Sequence, residues 1–295
     1  MNSQQILDQI RAEFRAMKQI KRGLEGNRIF MDSGWENAEY PAGTQFTPFD
    51  ADGIHAETVS IDTNSSAEKI ILHCHGGGYA VGSTLSHRPL AAQLAQVCNA
   101  RTVTFNFRLA PENKFPCALE DALTVYQFLL RSTDSKNIIL SGDSGGASLA
   151  FALALQIRDR GLPPPAALIG LSAWLDFACE GNTFEINKPK DPSGNRGGLT
   201  MMAVSYAGKD NLKNPLVSPL YADNLSNLPP ILLQVGTAET LLDDSRRFAE
   251  KAQADGSNVT LQEWPDMIHV WHFFYSRLPE SRQALDAIGE WLGKL

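Results

Sequence analysis

Ile138-Ile139-Leu140-Ser141-Gly142-Asp143-Ser144-Gly145-Gly146-Ala147-Ser148-Leu149-Ala150-Phe151-Ala152-Leu153-Ala154-Leu155 passes from a strand-like run, through G-x-S-x-G, into a helix-forming run. A strand that turns at once into a helix needs a sharp bend, and the residue at its apex is held in a strained backbone conformation. Glycine at 142 and 146 removes the Cβ atoms that would clash where strand and helix pack closely. The Ser144 hydroxyl is then presented above a sheet, beside the free N–H groups of a helix N-terminus, where developing negative charge can be met. Taken alone, the pentapeptide also reads as a glycine-rich helix cap that contains a serine.

A second glycine run narrows that choice. His75-Gly76-Gly77-Gly78-Tyr79 follows the strand-like Lys69-Ile70-Ile71-Leu72-His73-Cys74. Consecutive glycines after a strand can aim several backbone N–H groups at one point. The Gly-Lys-Ser/Thr of a Walker phosphate loop is missing. In acyl transfer the point is an oxyanion, and its donors are this loop plus the amide after the nucleophile, here Gly145.

Outward from these motifs, β-like and helical stretches alternate. Strands are predicted at 58–61, 69–74, 101–107, 137–141, 166–171, 231–235 and 259–263. Helices are predicted at 3–21, 86–99, 117–131, 144–159, 241–254 and 282–292. The alternation implies a mostly parallel central sheet with helices on both faces. The pattern breaks between Phe177 and Pro219, a polar segment rich in Gly, Asn and Pro. A helical lid is expected there, with Leu199, Met202 and Tyr206 on one face.

A serine nucleophile needs a base and a carboxylate to orient it, in the chain order Ser, acid, His, each after a late strand. Gly236-Thr237-Ala238-Glu239 follows the first late strand and offers Glu239. Asp243 and Asp244 fall inside the next helix, where they read as first-turn or solvated carboxylates. After the last strand, Pro265-Asp266-Met267-Ile268-His269 offers His269. Of the other histidines, His55 and His87 read as surface or helix residues, and His73 as lying in or beside the sheet. His75 reads as ordering its loop, and His272 as packing or lying at the rim.

With 295 residues, 43% of them hydrophobic and 20% charged, the chain can bury a large core. A net charge of −7 without a basic cluster argues against nucleic acid or an anionic membrane as partner. No apolar run is long enough to insert in a bilayer, and residues 1–20 lack the apolar core of a signal peptide. Cys74, Cys98, Cys117 and Cys179 show no CxxC spacing and read as reduced core thiols of a cytoplasmic protein.

The sequence resembles the hormone-sensitive lipase family, or bacterial family IV carboxylesterases. The matching residues are His75–Tyr79, Phe107-Arg108-Leu109-Ala110-Pro111-Glu112 with Phe115-Pro116, Gly142–Gly146, Ser172-Ala173-Trp174-Leu175-Asp176, Asn214–Leu220, Gly236–Asp243 and His269. They run in the family's order from about residue 60 to the end. The resemblance implies an α/β-hydrolase fold with a helical cap: an N-terminal cap region at 1–45, a cap insertion at 177–213, and a catalytic domain of 46–176 with 214–295.

It also implies Ser144, Glu239 and His269 as triad, and Gly77, Gly78 and Gly145 as oxyanion donors, without metal or cofactor. The family more often has Asp at the acid position and Ala at 145. Arg108, Glu112 and Asp176 read as structural ion pairs or caps, and Asp143 as fixing the elbow or a neighbouring loop. The expected activity is hydrolysis of a small-molecule ester with a short to medium acyl chain, and the reading admits a homodimer. Lactone hydrolysis and small-molecule deacetylation are alternatives with the same triad. A peptidase or a non-catalytic receptor, as in the related gibberellin receptors that lack the histidine, are alternatives of other kinds.

Overall fold

The structure is a computed structural model, and it describes residues 1–295 except 34, 35 and 37. Its strands are β1 (Gln45–Ala51), β2 (Ile54–Ser60), β3 (Ile70–Cys74), β4 (Arg101–Phe105), β5 (Ile138–Asp143), β6 (Ala167–Leu171), β7 (Ile231–Gly236) and β8 (Val259–Trp264). They form one sheet in the order β1-β2-β4-β3-β5-β6-β7-β8. β1 and β2 form an antiparallel hairpin, β2 pairs antiparallel with β4, and every later pairing is parallel.

Side chains alternate across a strand, so each strand feeds two cores. Ile70, Leu72, Leu140, Leu168, Ile231 and Leu233 pack with α4 (Cys117–Leu129), α5 (Ser144–Asp159) and α8 (Leu242–Ala254) on one face. Ile71, Ile139, Ile169 and Leu232 pack with α3 (Thr84–Val97) and α9 (Pro279–Leu292) on the other. This two-sided burial is why the central strands read as continuous apolar runs. Among the described residues, no helix is long and apolar enough to cross a membrane.

Four further helices, α1 (Ser3–Lys18), α2 (Gly23–Ser33), α6 (Thr183–Ile186) and α7 (Arg196–Ala207), come from the two regions expected to form a cap. A capping box between Asn2 and Gln5 starts α1, which buries Leu7 and Ile10 against Met267, Ile268 and Trp271. On α2, Arg28 donates to the carbonyls of Ala80 (2.9 Å) and Ala110 (3.0 Å) and pairs with Glu112 (2.8 Å). The expected face of α7 is present: Leu199 and Met202 pack on the core, and Tyr206 stacks on Tyr79 at 3.8 Å.

The hairpin of β1 with most of β2, and helix α2, were not among the expected elements. Helix 3–21 ends at Lys18 and strand 101–107 at Phe105.

Candidate active site

β5 ends at Asp143 and α5 begins at Ser144, with no residue between them. Ser144 has φ 52°, the left-handed region that costs a non-glycine residue about 1–3 kcal/mol. A Cβ on Gly142 would lie 2.3 Å from the Gly146 carbonyl oxygen, and one on Gly146 2.1 Å from that of Cys74. Both contacts are with backbone and cannot relax cheaply, so glycine is required on each side of the bend.

The structure brings Ser144, His269 and Glu239 together. Ser144 Oγ is 2.9 Å from His269 Nε2, and His269 Nδ1 is 3.2 Å from Glu239 Oε2. A carboxylate only accepts hydrogen bonds, so the tautomer that satisfies both contacts carries its proton on Nδ1 and accepts the serine hydroxyl at Nε2. Glu239 is fully buried, and its other oxygen accepts from Gly236 N–H and Ser172 Oγ, both at 2.7 Å. Burial opposes the charged form of His269. The hydrogen bond and charge of Glu239, with the charges of Asp191 and Asp143, outweigh it and hold the imidazole pKa above its ordinary value.

The other histidines are elsewhere. His55 is exposed. His75 donates Nδ1–H to Gly76 O at 2.9 Å and stacks on Phe107, and burial pushes its pKa down to about 3. His272 is buried against Gln234 Oε1 at 2.8 Å. His87 lies on the helix α3, one of its two readings, and is buried rather than at the surface, with Nε2 3.3 Å from Asp143. His73 lies within the sheet, 3.2 Å from the same carboxylate.

Asp143 thus fixes the glycine loop from below. Its Oδ1 accepts Gly76 N–H at 2.9 Å. Burial disfavours its charge, but His87 and His73 more than compensate and keep its pKa well below the carboxylate range. Above it, Gly77 and Gly78 have φ of 110° and 60°. Gly78 N would be 3.3 Å from a Cβ on Gly145, so the two backbones face each other across the elbow. Gly145 lies in the first turn of α5, where N–H groups have no intrahelical acceptor.

The competing carboxylates face away. Asp243 Oδ2 accepts from Asn182 N–H (2.7 Å) and Thr183 N–H (3.1 Å). Asp244 lies in the first turn of α8, one of its two readings, and is buried rather than solvated; it accepts from the N–H groups of Leu175 and Asp176, both at 2.9 Å. Arg108 pairs with Asp121, Glu112 with Arg28, and Asp176 with Arg247, as expected of structural ion pairs. Cys74 is fully buried, and burial pushes its thiol far up.

A cavity of about 520 Å³ opens over Ser144, Gly77, Gly78 and His269. Its apolar walls include Phe14 and Met17 of α1, Phe30 of α2, and Leu199 and Met202 of α7. Sequence reasoning missed Ser172. Its hydroxyl donates to Glu239 and accepts the Val270 N–H at 2.9 Å. The motif Ser172–Asp176 marked the position, but only the fold shows what the hydroxyl reaches.

The sequence profile of the α/β-hydrolase fold matches residues 71–273. An acetyl-hydrolase of Streptomyces hygroscopicus is 40% identical over 76% of this chain and 75% of its own length. An esterase of Acinetobacter venetianus is 36% identical over 85% of this chain and 82% of its own. A crystal structure described as an esterase from the bacterial hormone-sensitive lipase family superposes with TM-score 0.94 at 36% identity, covering 100% of this chain and 99% of that one. The structure of EstE5 soaked with p-nitrophenyl butyrate gives TM-score 0.89 at 37% identity over 97% of both chains.

Proposed function

The chain belongs to the bacterial hormone-sensitive lipase family of α/β-hydrolases, a serine carboxylesterase family, and from that premise we propose that Ser144, His269 and Glu239 are its triad. The observation that carries the reading is the 2.9 Å contact between Ser144 Oγ and His269 Nε2.

His269 takes the hydroxyl proton as Ser144 attacks the ester carbonyl carbon. The N–H groups of Gly77, Gly78 and Gly145 hold the resulting oxyanion. As the tetrahedral intermediate collapses, the bond to the alcohol oxygen breaks and His269 gives that oxygen its proton. Water then attacks the acyl-serine with His269 again as base. The second collapse releases the carboxylic acid and restores the serine. Glu239 keeps the imidazole in the required tautomer and stabilises the imidazolium. We read residues 1–45 and 177–213 as the two parts of a cap, and 46–176 with 214–295 as the catalytic domain. Phe14, Met17, Leu199 and Met202 in the cavity wall support that division.

An apolar cavity of this size fits a short to medium acyl chain. The same geometry opens lactones and removes acetyl groups, and the likeness to an acetyl-hydrolase makes acetyl esters the first to try. The test is turnover of p-nitrophenyl esters from acetate to palmitate. Rates should fall steeply beyond medium chains. Equal rates on butyrate and palmitate would reject a cavity-set limit, and no turnover on any ester would reject the esterase reading.

A further inference from the structure

The short turn that carries Glu239 divides its hydrogen bonds between two parts of the chain. The N–H groups of Thr237, Ala238 and Glu239 bond within the sheet end, to the carbonyls of Trp264 (2.9 Å), Met267 (3.2 Å) and Gly236 (3.1 Å). The turn's outward groups bond to the 177–213 insertion. The Asn187 side-chain amide donates both its hydrogens, to Thr237 O at 3.0 Å and to Glu239 O at 2.7 Å. Asp191 Oδ2 accepts from Thr240 N–H at 2.8 Å and from Thr240 Oγ1 at 3.2 Å. Thr183 Oγ1 donates to Thr240 O at 2.9 Å.

Asn187 and Asp191 are only 3% exposed. Buried polar groups held so completely are costly to leave unpaired, so this arrangement is rigid when complete. Asp191 Oδ1 is in turn bound by Ser193, through its N–H at 2.9 Å and its hydroxyl. Helix α1 reaches the same segment, where Arg15 donates to Pro189 O at 3.3 Å.

We propose that Asn187 and Asp191 are positioning residues for Glu239, so that the insertion sets the geometry of the triad acid as well as walling the cavity. The physical reason is leverage. Glu239 is the third of the five residues between β7 and α8, and its carboxylate must meet His269 Nδ1 to within a few tenths of an ångström. The insertion holds the carbonyl of Glu239 itself and the N–H, hydroxyl and carbonyl of Thr240. An insertion that shifted would carry the carboxylate with it. The inference rests on Glu239 being the triad acid.

The test is a double-mutant cycle. Asn187→Ala and Asp191→Asn are each made alone and with Glu239→Gln, and kcat and KM are measured on p-nitrophenyl butyrate. Circular dichroism checks that each variant is folded. Each single variant should lower kcat about 10- to 100-fold, the scale of a small misplacement in an active site, with KM within about twofold. In the Glu239→Gln background each should cost less than about twofold more, because the group they position is already disabled. An equal loss in both backgrounds, or an unchanged kcat in the single variants, overturns the proposal. If Asn187→Ala does not fold, the isosteric Asp191→Asn decides the outcome alone. If Glu239→Gln itself leaves kcat intact, the acid assignment fails first and the positioning role goes with it.

Discussion

Ser172 Oγ donates to Glu239 Oε1 at 2.7 Å while accepting the Val270 N–H at 2.9 Å, so one hydroxyl joins the proposed acid to the residue after the proposed base. Ser172→Ala leaves the buried Val270 N–H without its acceptor, at a cost of about 1–3 kcal/mol. Urea unfolding should show that loss, and kcat on p-nitrophenyl butyrate should fall about tenfold as His269 and Glu239 lose their common tie. Lowered stability with an unchanged kcat would confine Ser172 to a structural part.

Ser144→Ala should leave the fold intact, since among the described residues its hydroxyl hydrogen-bonds to His269 alone. Turnover should drop by up to about 10⁶ in kcat if the three groups act as a unit. An organophosphate should label the parent protein once and the variant not at all. Full labelling of the alanine variant would assign the nucleophile elsewhere.

The acid is tested by comparing two carboxylates about one helical turn apart in sequence. Glu239→Gln should cost about 10⁴ in kcat with little change in KM. Asp243→Asn should cost at most about tenfold, because Asp243 accepts from Asn182 and Thr183 rather than from His269. A greater loss from Asp243→Asn would reverse the assignment.

His269 must be neutral to act as base, and its pKa is raised. Burial favours the neutral ring, but the Glu239 hydrogen bond and charge outweigh burial. Activity is therefore lost as pH falls, with a midpoint in kcat/KM above the ordinary histidine value of about 6.5. Glu239→Gln removes the stabilising charge and leaves the burial, so the midpoint should move down. A kcat/KM profile from about pH 5 to pH 9 for both proteins checks the position and the sign. A midpoint that rises in the glutamine variant would contradict the pairing.

The parallel half of the sheet was legible because β3, β5, β6 and β7 are buried on both faces and each opens on a run of three apolar residues. The hairpin was not. β1 is a half-exposed edge strand containing Pro48, so it carries little apolar signal. Its Asp52-Gly53 turn, with φ of 55° and 90°, was the cue available. Ser144 follows β5 directly and His269 lies on the short loop after β8, so both could be proposed from chain order alone. His87 and Asp244 lie on a helix and in a first turn, as one reading of each had it, but a polar residue there gives no sign of which buried partner awaits it. For His87 that partner is Asp143, and for Asp244 it is the N–H groups of Leu175 and Asp176.

His269 lies 125 residues beyond Ser144, just past β8, which closes one edge of the sheet. A nascent or refolding chain can therefore assemble β3, β5 and the elbow and still own a serine without a base. On the proposed triad, hydrolysis begins only when the β8 edge has docked on β7. Recovery of turnover after dilution from denaturant is thus a reporter of that final edge. Far-UV ellipticity, by contrast, follows the helices and strands that can form before it.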